Sequence, residues 1–332
     1  MSTLTVLYIT GWCRSGSTII GNVLNEVAGC FHTGELSFLW KNAYGNGSNT
    51  MCGCGTPLVQ CALWAKVLEQ GVAPGESAQG HAARVVRRQL DTVRTRHTWR
   101  VLRQGTPSPA LYEHAELLAQ TYRTIADATG SHIIVDSGKF PSEAALLPHV
   151  DGITPYYLHL VRDPRAVAHS WTKTKQYVVP MSAARSTAYW LGFNVASELV
   201  TRRHPERSLF LRYEDFIASP QATIDSLLEL IQVDRSVNPV KGRTVALGRN
   251  HTVTGNPDRF LSGSTLLRPG DDAWRKELPT KVKRLVSTLA WPLTGRYQYR
   301  GPPAPVDASS GAEPAKNVSG ARSGNLGTGT HS

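Results

Sequence analysis

The stretch TGWCRSGSTIIGNVL (residues 10–24) joins a strand pattern to a helix pattern through a turn bracketed by Gly11 and Gly16. The preceding run TVLYIT (5–10) is apolar and β-branched, which predicts a buried strand. Backbone amides in such a turn converge on an anion, and the following helix directs its positive end to the same place. The spacing matches a nucleotide P-loop, except that Ser17 stands where lysine is usual.

The charge of this loop comes from a single residue. Because Ser17 is neutral, Arg14 is the only cation between the two glycines. Arginine donates paired hydrogen bonds to phosphate-type oxygens, whereas hydroxyl groups add single ones. We therefore predict an anion site formed by Arg14, Ser15, Gly16, Ser17 and Thr18.

Composition limits the class of protein. A chain of 332 residues with 41% hydrophobic content fits one domain, predicted at 1–300 with a disordered Gly/Pro/Ser-rich tail at 301–332. The net charge of +11 suits polyanionic small molecules, anionic membranes and nucleic acid equally well. There is no basic N-terminal signal and no apolar run of about 20 residues, so we expect a cytoplasmic protein without an integral membrane segment.

Short β-branched runs alternate with helical patterns along the chain. The runs at 132–136, 156–161 and 208–213 each precede a helix-like segment. This alternation predicts an α/β fold with a central parallel sheet flanked by helices. A helical insertion with two helical stretches is predicted at about 66–129. Ligands of such sheets bind at the carboxyl ends of the strands.

Part of this insertion, residues 84–103, is strongly basic. It carries seven arginines and one acidic residue, Asp91. A solvated helical face is the favoured interpretation. The alternative is a basic lid over an anionic acceptor or a membrane surface.

A second candidate anion site lies in LHLVRDPRAVAHSW (158–171). A strand delivers Arg162 to the sheet edge, and Asp163 followed by Pro164 predicts a helix N-cap. Ser170 lies about two turns into this helix, so that Arg162 and Ser170 can converge on one group. On these residues alone, a surface arginine and a serine bonded to its own helix are the favoured interpretation.

Together, GWCRSGSTII and LVRDPRAVAHSW resemble the two nucleotide motifs of sulfotransferases that use 3'-phosphoadenosine 5'-phosphosulfate (PAPS). The resemblance implies a P-loop-containing, nucleoside-triphosphate-hydrolase-like sulfotransferase fold with PAPS as co-substrate. It also implies that the Arg14 loop holds the 5'-phosphosulfate and that Arg162 and Ser170 hold the 3'-phosphate. The family often has proline where this chain has Cys13, to which we assign only a packing role.

The resemblance also implies catalytic residues, Arg14 among them. Carbohydrate and tyrosyl-protein sulfotransferases are similar around Glu35, with a glutamate that acts as the base; the alternative is a helix-capping Glu35. Lys139 in VDSGKFP corresponds to a family lysine that stabilises the transition state, or is a solvated turn lysine. Cytosolic sulfotransferases have a catalytic histidine two positions later, where this chain has Pro141.

Further along the chain, NHTVTGNPDRF (250–260) resembles the loop that related bacterial sulfotransferases fold over the nucleotide. The resemblance implies that Arg259 reaches the 3'-phosphate and that His251 and Asn256 shape the loop. A Gly-Asn-Pro turn also forms without any ligand. Tyr213 follows a predicted strand and is expected beside the adenine, or packed against a helix.

Three cysteines, Cys52, Cys54 and Cys61, are close in sequence. They would bind zinc if Cys30 or a histidine supplied a fourth ligand. Their spacing is not that of a common zinc ribbon, so structural thiols and no bound metal are the favoured interpretation.

The predicted function is transfer of the sulfuryl group from PAPS to a hydroxyl or amine of a small-molecule, sugar or lipid-linked acceptor, releasing adenosine 3',5'-bisphosphate. One alternative is a P-loop kinase or NTPase using ATP and magnesium, with Asp136 or Asp163 as metal ligand. Another is nucleic-acid binding by the basic helices, although no nucleic-acid partner is expected.

Overall fold

The computed structural model describes residues 3–173, 179–268 and 272–299, and its centre is a five-stranded parallel sheet. The strand order is β2-β3-β1-β4-β5, and a small antiparallel ribbon, β6-β7, lies apart from it. The α/β prediction is confirmed. The strands are β1 Leu4–Thr10, β2 Cys30–Gly34, β3 Ile133–Lys139, β4 Ile153–Val161, β5 Ser208–Arg212, β6 Thr244–Leu247 and β7 Gly263–Leu266.

Helices cover both faces of this sheet. They are α1 Ser17–Asn25, α2 Leu39–Tyr44, α3 Ala62–Gly71, α4 Ala78–Thr92, α5 Thr98–Arg103, α6 Pro109–Thr129, α7 Pro141–Leu146, α8 Pro164–Thr172, α9 Ala183–Thr201, α10 Tyr213–Ala218, α11 Pro220–Leu230, α12 Ala273–Glu277, α13 Thr280–Leu289 and α14 Trp291–Thr294. Short 3-10 turns occur at Leu36–Phe38, Leu58–Gln60, Thr95–His97, Leu147–His149, Pro205–Arg207, Arg235–Val237 and Pro257–Phe260.

The first strand, β1, lies in the middle of the sheet between β3 and β4. Its side chains alternate between two cores: Val6 and Tyr8 belong to one, Leu7 and Ile9 to the other. Because both faces are buried, the strand is apolar at consecutive positions instead of every second one. This explains the run TVLYIT.

The edge strand β2 was not predicted from the sequence. Its residues CFHTG include a histidine, a threonine and a glycine, yet all five are buried. Cys30 and Phe31 pack in the two cores, and the His32 ring lies between Asn22 and Ser137. At the end of the strand, Val253 donates a backbone hydrogen bond to Thr33 O (2.7 Å) and accepts one from Glu35 N (2.7 Å). The chain thus returns to the carboxyl edge of the sheet at Glu35.

The predicted helical insertion, 66–129, contains four α-helices, α3 to α6, where the sequence suggested two stretches. Its basic part makes many contacts within the chain, and Val86, Gln89 and Arg94 of this part also line a cavity. The contacts are ion pairs Arg84–Glu76, Arg87–Asp91 and Arg88–Glu113, hydrogen bonds from Arg96 to Leu90 O and from Arg100 to Asp91 O, and ring contacts Arg94–Phe140 and Arg103–Trp99. The choice between a solvated helical face and a basic lid stays a prediction.

The predicted tail, 301–332, lies outside the described residues. Within those residues, no helix combines the length and the apolar character needed to cross a bilayer.

We predict that Gly11→Ala destabilises the fold, whereas Gly192→Ala does not. Gly11 has φ +129°, and a Cβ there would lie 2.3 Å from Leu160 O of β4. The strain and the clash should lower the free energy of unfolding by roughly 2 kcal/mol or more. Gly192 is exposed in α9, and no other segment lies within 4 Å of the place that an added methyl group would take, so alanine there should raise stability by up to about 1 kcal/mol.

Urea unfolding of both variants measures the difference. Equal stability of Gly11→Ala and the wild type would mean that the turn and β4 are not packed as closely as described.

Candidate functional site

The turn between β1 and α1 forms the centre of the candidate site. Gly16, directly before α1, is left-handed (φ 93°), and within the described part of the chain no side-chain hydrogen bond caps this helix. A Cβ on Gly16 would lie 2.2 Å from the Tyr213 ring, so only glycine fits. The buried Ser15 hydroxyl donates to Trp12 O (2.8 Å) and so shapes the turn. The first amides of α1 thus face the turn as an anion site requires.

Arg14 is held in an unusual conformation within this turn. Its φ of 70° is rare for a residue with a side chain, a form of strain typical of functional sites. Its Nη1 donates to Asn256 Oδ1 (3.0 Å), while Nε and Nη2 are buried without a hydrogen-bond partner among the described residues. Burial, reinforced by the charge of Arg162, lowers the Arg14 pKa. Buried donors of this kind indicate a place for an anionic ligand.

Arg162 follows β4 and lies against the same turn. Its Nη1 donates to Arg14 O (3.2 Å), and its guanidinium stands 4.6 Å from the centre of the Tyr213 ring. Neither Arg14 nor Arg162 forms an ion pair with a carboxylate in the described ranges. The structure therefore brings together two arginines whose positive charges are not neutralised by a direct carboxylate partner.

The helix after Arg162 begins as the sequence predicted. Asp163 is the N-cap of α8, accepting from Arg165 N (2.8 Å), and Pro164 is its first residue. Ser170 is half-buried in the last turns of α8. Among the described residues it makes no hydrogen bond to Arg162, so their convergence on one group stays a prediction.

Glu35 and Lys139 form an ion pair at the ends of β2 and β3. Lys139 Nζ donates to Glu35 Oε1, and the Lys139 and Glu35 side chains are only 8% and 14% exposed, respectively. Burial opposes the charge of Lys139, but the nearby Glu35 carboxylate outweighs it and raises the Lys139 pKa. Lys139 is thus not a solvated turn lysine. Like Arg14, it has a positive φ (68°).

The segment 250–260 closes over the turn. Asn256 accepts from Arg14 through Oδ1, and its backbone N–H donates to Thr18 Oγ1 (3.4 Å). Thr254, two residues earlier, is also left-handed (φ 57°) and accepts from Asn42 Nδ2 (2.6 Å). The structure therefore brings Asn256 to the predicted anion loop.

Arg259 lies deeper than its predicted role suggests. It is 1% exposed, and its Nη2 donates to Asn49 Oδ1 (2.6 Å). Its backbone carbonyl accepts from Asn250 Nδ2 (2.7 Å), which holds the two ends of the segment together. A contact between Arg259 and a 3'-phosphate stays a prediction.

A buried network beside the ion pair was not foreseen. Glu143 is 1% exposed and accepts hydrogen bonds from Tyr8 (3.0 Å) and Ser37, and it pairs with His114 Nε2 (2.8 Å). Burial alone would raise the Glu143 pKa, but His114 and the hydroxyl donors lower it. In the sequence, Glu143 looks like an ordinary glutamate in the first turn of a helix, and no local signal distinguishes it.

Glu143 borders a cavity of about 500 Å³. Ser37 and Phe38, which follow Glu35, and Phe140, which follows Lys139, also line it. The lining of the cavity thus includes chain neighbours of Glu35 and Lys139.

The two aspartates considered as magnesium ligands are engaged elsewhere. Asp136 is fully buried and accepts from Tyr122 (2.7 Å) and from Gly138 N (2.8 Å), and burial raises its pKa to about 7. Asp163 caps α8 and is paired with Arg165 through both oxygens (2.9 and 2.7 Å). These contacts disfavour the kinase alternative.

Comparisons with known proteins identify the family and the fold. Residues 7–236 match the family model described as the sulfotransferase family. Among solved structures, the chain is similar to the sulfotransferase domain of the Synechococcus PCC 7002 olefin synthase, with 20% identity over 91% of this chain and 97% of that one and a TM-score of 0.50. This likeness concerns the fold. No curated protein matches the chain.

Two further solved structures are more distant. The sulfotransferase domain from the curacin biosynthetic pathway is 16% identical, over 87% of this chain and 98% of that one, with a TM-score of 0.44. Sulfotransferase STF9 from Mycobacterium avium is 14% identical, over 75% and 71%, with a TM-score of 0.42.

We predict strong energetic coupling between Glu35 and Lys139. Removing the lysine alone leaves a carboxylate unpaired in a mostly buried place, so Lys139→Met should cost roughly 3 kcal/mol. Combining it with Glu35→Gln should recover part of that loss, giving a coupling energy on the order of 1–3 kcal/mol in urea unfolding.

The matched control is the exposed pair Arg235–Glu229, whose side chains are 56% and 65% exposed. Its coupling should stay below about 1 kcal/mol. A Glu35–Lys139 coupling no larger than this control would contradict the buried ion pair.

Proposed function

The chain belongs to the sulfotransferase family, and we propose that it transfers the sulfuryl group of PAPS to a hydroxyl or amine of a small acceptor, releasing adenosine 3',5'-bisphosphate. The observation that carries this proposal is the pair Arg14 and Arg162 in contact at the carboxyl edge of the sheet. Neither has a carboxylate partner among the described residues, and Arg14 has two buried nitrogens that no described group satisfies. Two such arginines suit a ligand with two separate anionic groups.

The residues of the turn fit the donor. Gly16, Ser17 and the first amides of α1 would hold the 5'-phosphosulfate, with Arg14 Nε and Nη2 as additional donors. Arg162 and Ser170 would hold the 3'-phosphate. Tyr213, whose ring packs on Gly16 and Arg162, lies where it can support the adenosine. When bound, PAPS supplies a sulfuryl group on a phosphate that can leave.

In this proposal Glu35 acts as the general base. Its carboxylate takes the proton of the acceptor hydroxyl as the acceptor oxygen forms its bond to sulfur and the bond between sulfur and the bridging oxygen breaks. Lys139 orients Glu35 through their ion pair. The charges of Lys139 and Arg14 stabilise the negative charge that develops on the departing oxygen, which is the main demand of such in-line transfers.

The acceptor would approach through the cavity of about 500 Å³ beside the ion pair. Phe38 and Phe140 give it an apolar wall, while Lys41 and Arg94 contribute positive charge. This mixture suits a small molecule, a sugar or a lipid-linked acceptor with an apolar part next to its hydroxyl or amine.

We predict that the protein binds adenosine 3',5'-bisphosphate without magnesium, and more tightly than AMP or ATP. Isothermal titration calorimetry measures this directly. Arg162→Ala should weaken binding about 10- to 100-fold, because a charge-assisted contact to the 3'-phosphate is lost. The matched control Arg235→Ala removes an exposed arginine that pairs with Glu229, and it should leave the affinity unchanged.

One outcome of this titration would contradict the proposal. If ATP with magnesium binds more tightly and Arg162→Ala has no effect, the PAPS assignment is wrong and the kinase alternative takes its place.

A further inference from the structure

Three cysteines and one histidine meet outside the anion site. The ligand atoms of Cys52, Cys54, Cys61 and His251 all lie within 4.8 Å of one another. His251 Nδ1 is 3.2 Å from Cys61 Sγ and 3.7 Å from Cys52 Sγ. In a tetrahedral zinc site, sulfur and nitrogen ligands are about 3.6 Å apart and two sulfurs about 3.8 Å apart. The four side chains therefore already have nearly the separations that a bound zinc ion requires.

The backbone holds the cysteines in place. Cys54 N–H approaches Cys52 Sγ at 3.5 Å, and Gly55, left-handed at φ 88°, donates to Cys52 O (2.9 Å). Cys61 stands at the N-cap position of α3, where the helix end favours a thiolate. Amide donors and a helix N-terminus are supports that thiolate ligands of metals use.

The histidine is oriented from its own backbone. His251 O accepts from Trp64 Nε1 (2.6 Å), and Trp64 belongs to the fully buried core. The next residue, Thr252, accepts from Gly53 N (2.9 Å), and Val253 bridges to Cys52. These contacts direct the Nδ1 side of the imidazole to the sulfurs and tie the two segments together.

We propose that Cys52, Cys54, Cys61 and His251 bind one structural zinc ion. Four protein ligands complete the tetrahedral coordination of Zn²⁺ and leave no position for substrate, which is typical of structural rather than catalytic zinc. The sequence favoured structural thiols because the cysteine spacing is not that of a common zinc ribbon, and it left a histidine or Cys30 open as the fourth ligand. The fold supplies this missing fourth ligand, while Cys30 lies in β2 among a different set of core residues.

The zinc ion would fix the segment that closes the anion site. His251 is five residues before Asn256, which contacts both Arg14 and Thr18. Holding His251 to the cysteines therefore limits how far the segment 250–260 can move away from the turn. This second part rests on the proposed function, since it predicts that zinc loss weakens nucleotide binding.

Metal analysis of the full chain, purified without an affinity tag under reducing conditions, tests the site first. Inductively coupled plasma mass spectrometry should find about one zinc per chain in the wild type and in Cys30→Ser, the matched control. Cys61→Ser and His251→Ala should lose most of it. Cobalt(II) added to the metal-free wild type should give the intense visible bands of a tetrahedral, thiolate-bound ion, and the readout does not depend on how the variants fold.

Three results would overturn the zinc site. The first is a wild type that contains no zinc and gives only the weak bands of octahedral cobalt. The second is an equal zinc content in Cys61→Ser and the wild type, and the third is a protein mass two hydrogens lower than expected, which reveals a disulfide. A chelator should lower the melting temperature of the wild type but not of Cys61→Ser.

Calorimetry with adenosine 3',5'-bisphosphate then tests the link to the nucleotide. We expect the metal-free wild type to bind about 10-fold more weakly, and zinc to restore the affinity. Unchanged affinity after zinc removal would overturn the link while the metal analysis still supports the site. If the metal analysis finds zinc but neither the zinc-bound nor the metal-free protein binds the nucleotide, the result counts against the proposed function instead.

Discussion

The close packing of the β1–α1 turn is the constraint on which the rest of the site depends. Neither Gly11 nor Gly16 has room for a side chain, because Leu160 O and the Tyr213 ring lie against them. The order of the sheet then sets what surrounds this turn, since each strand delivers one side chain at its carboxyl end. From β2 to β5 the row spans about 19 Å and reads Glu35, Lys139, Arg14, Arg162 and Tyr213. The Glu35–Lys139 ion pair thus lies at one end, and Arg14, Arg162 and the Tyr213 ring lie at the other.

The segment 250–260 packs against this row of side chains. Val253 pairs with the backbone of β2, and Asn256 reaches across to Arg14, so one short segment touches both ends of the site. Its left-handed Thr254 joins Arg14 and Lys139 as residues with side chains at positive φ. Such strain persists only where surrounding contacts hold it, and here the contacts of three separate segments do so.

Local patterns predicted much of the fold and part of the site. Four strands followed from apolar runs, and Arg14, Arg162 and the Asp163 N-cap from short motifs, because all their determinants are adjacent in sequence. The strand β2 was not predicted because its polar residues contact distant segments: His32 meets Ser137, and the end of the strand pairs with Val253, more than 200 positions away. The hydrogen bonds of Glu143 and the contact of His251 with the cysteines were likewise not predicted. They join segments that are far apart in sequence and share no periodic pattern. The insertion has four helices rather than two because breaks at 72–77, 93–97 and 104–108 divide its helical patterns.

The central position of β1 has a consequence for how the protein is made. This strand leaves the ribosome first, but both of its neighbours, β3 and β4, lie more than 120 residues later. At ordinary rates of translation they follow on the order of 10 s behind it. During that interval an apolar segment with two unpaired edges is exposed, a form that favours aggregation. Heterologous expression should therefore benefit from slow synthesis at low temperature or from additional chaperones, which keep the nascent strand soluble until its partners arrive.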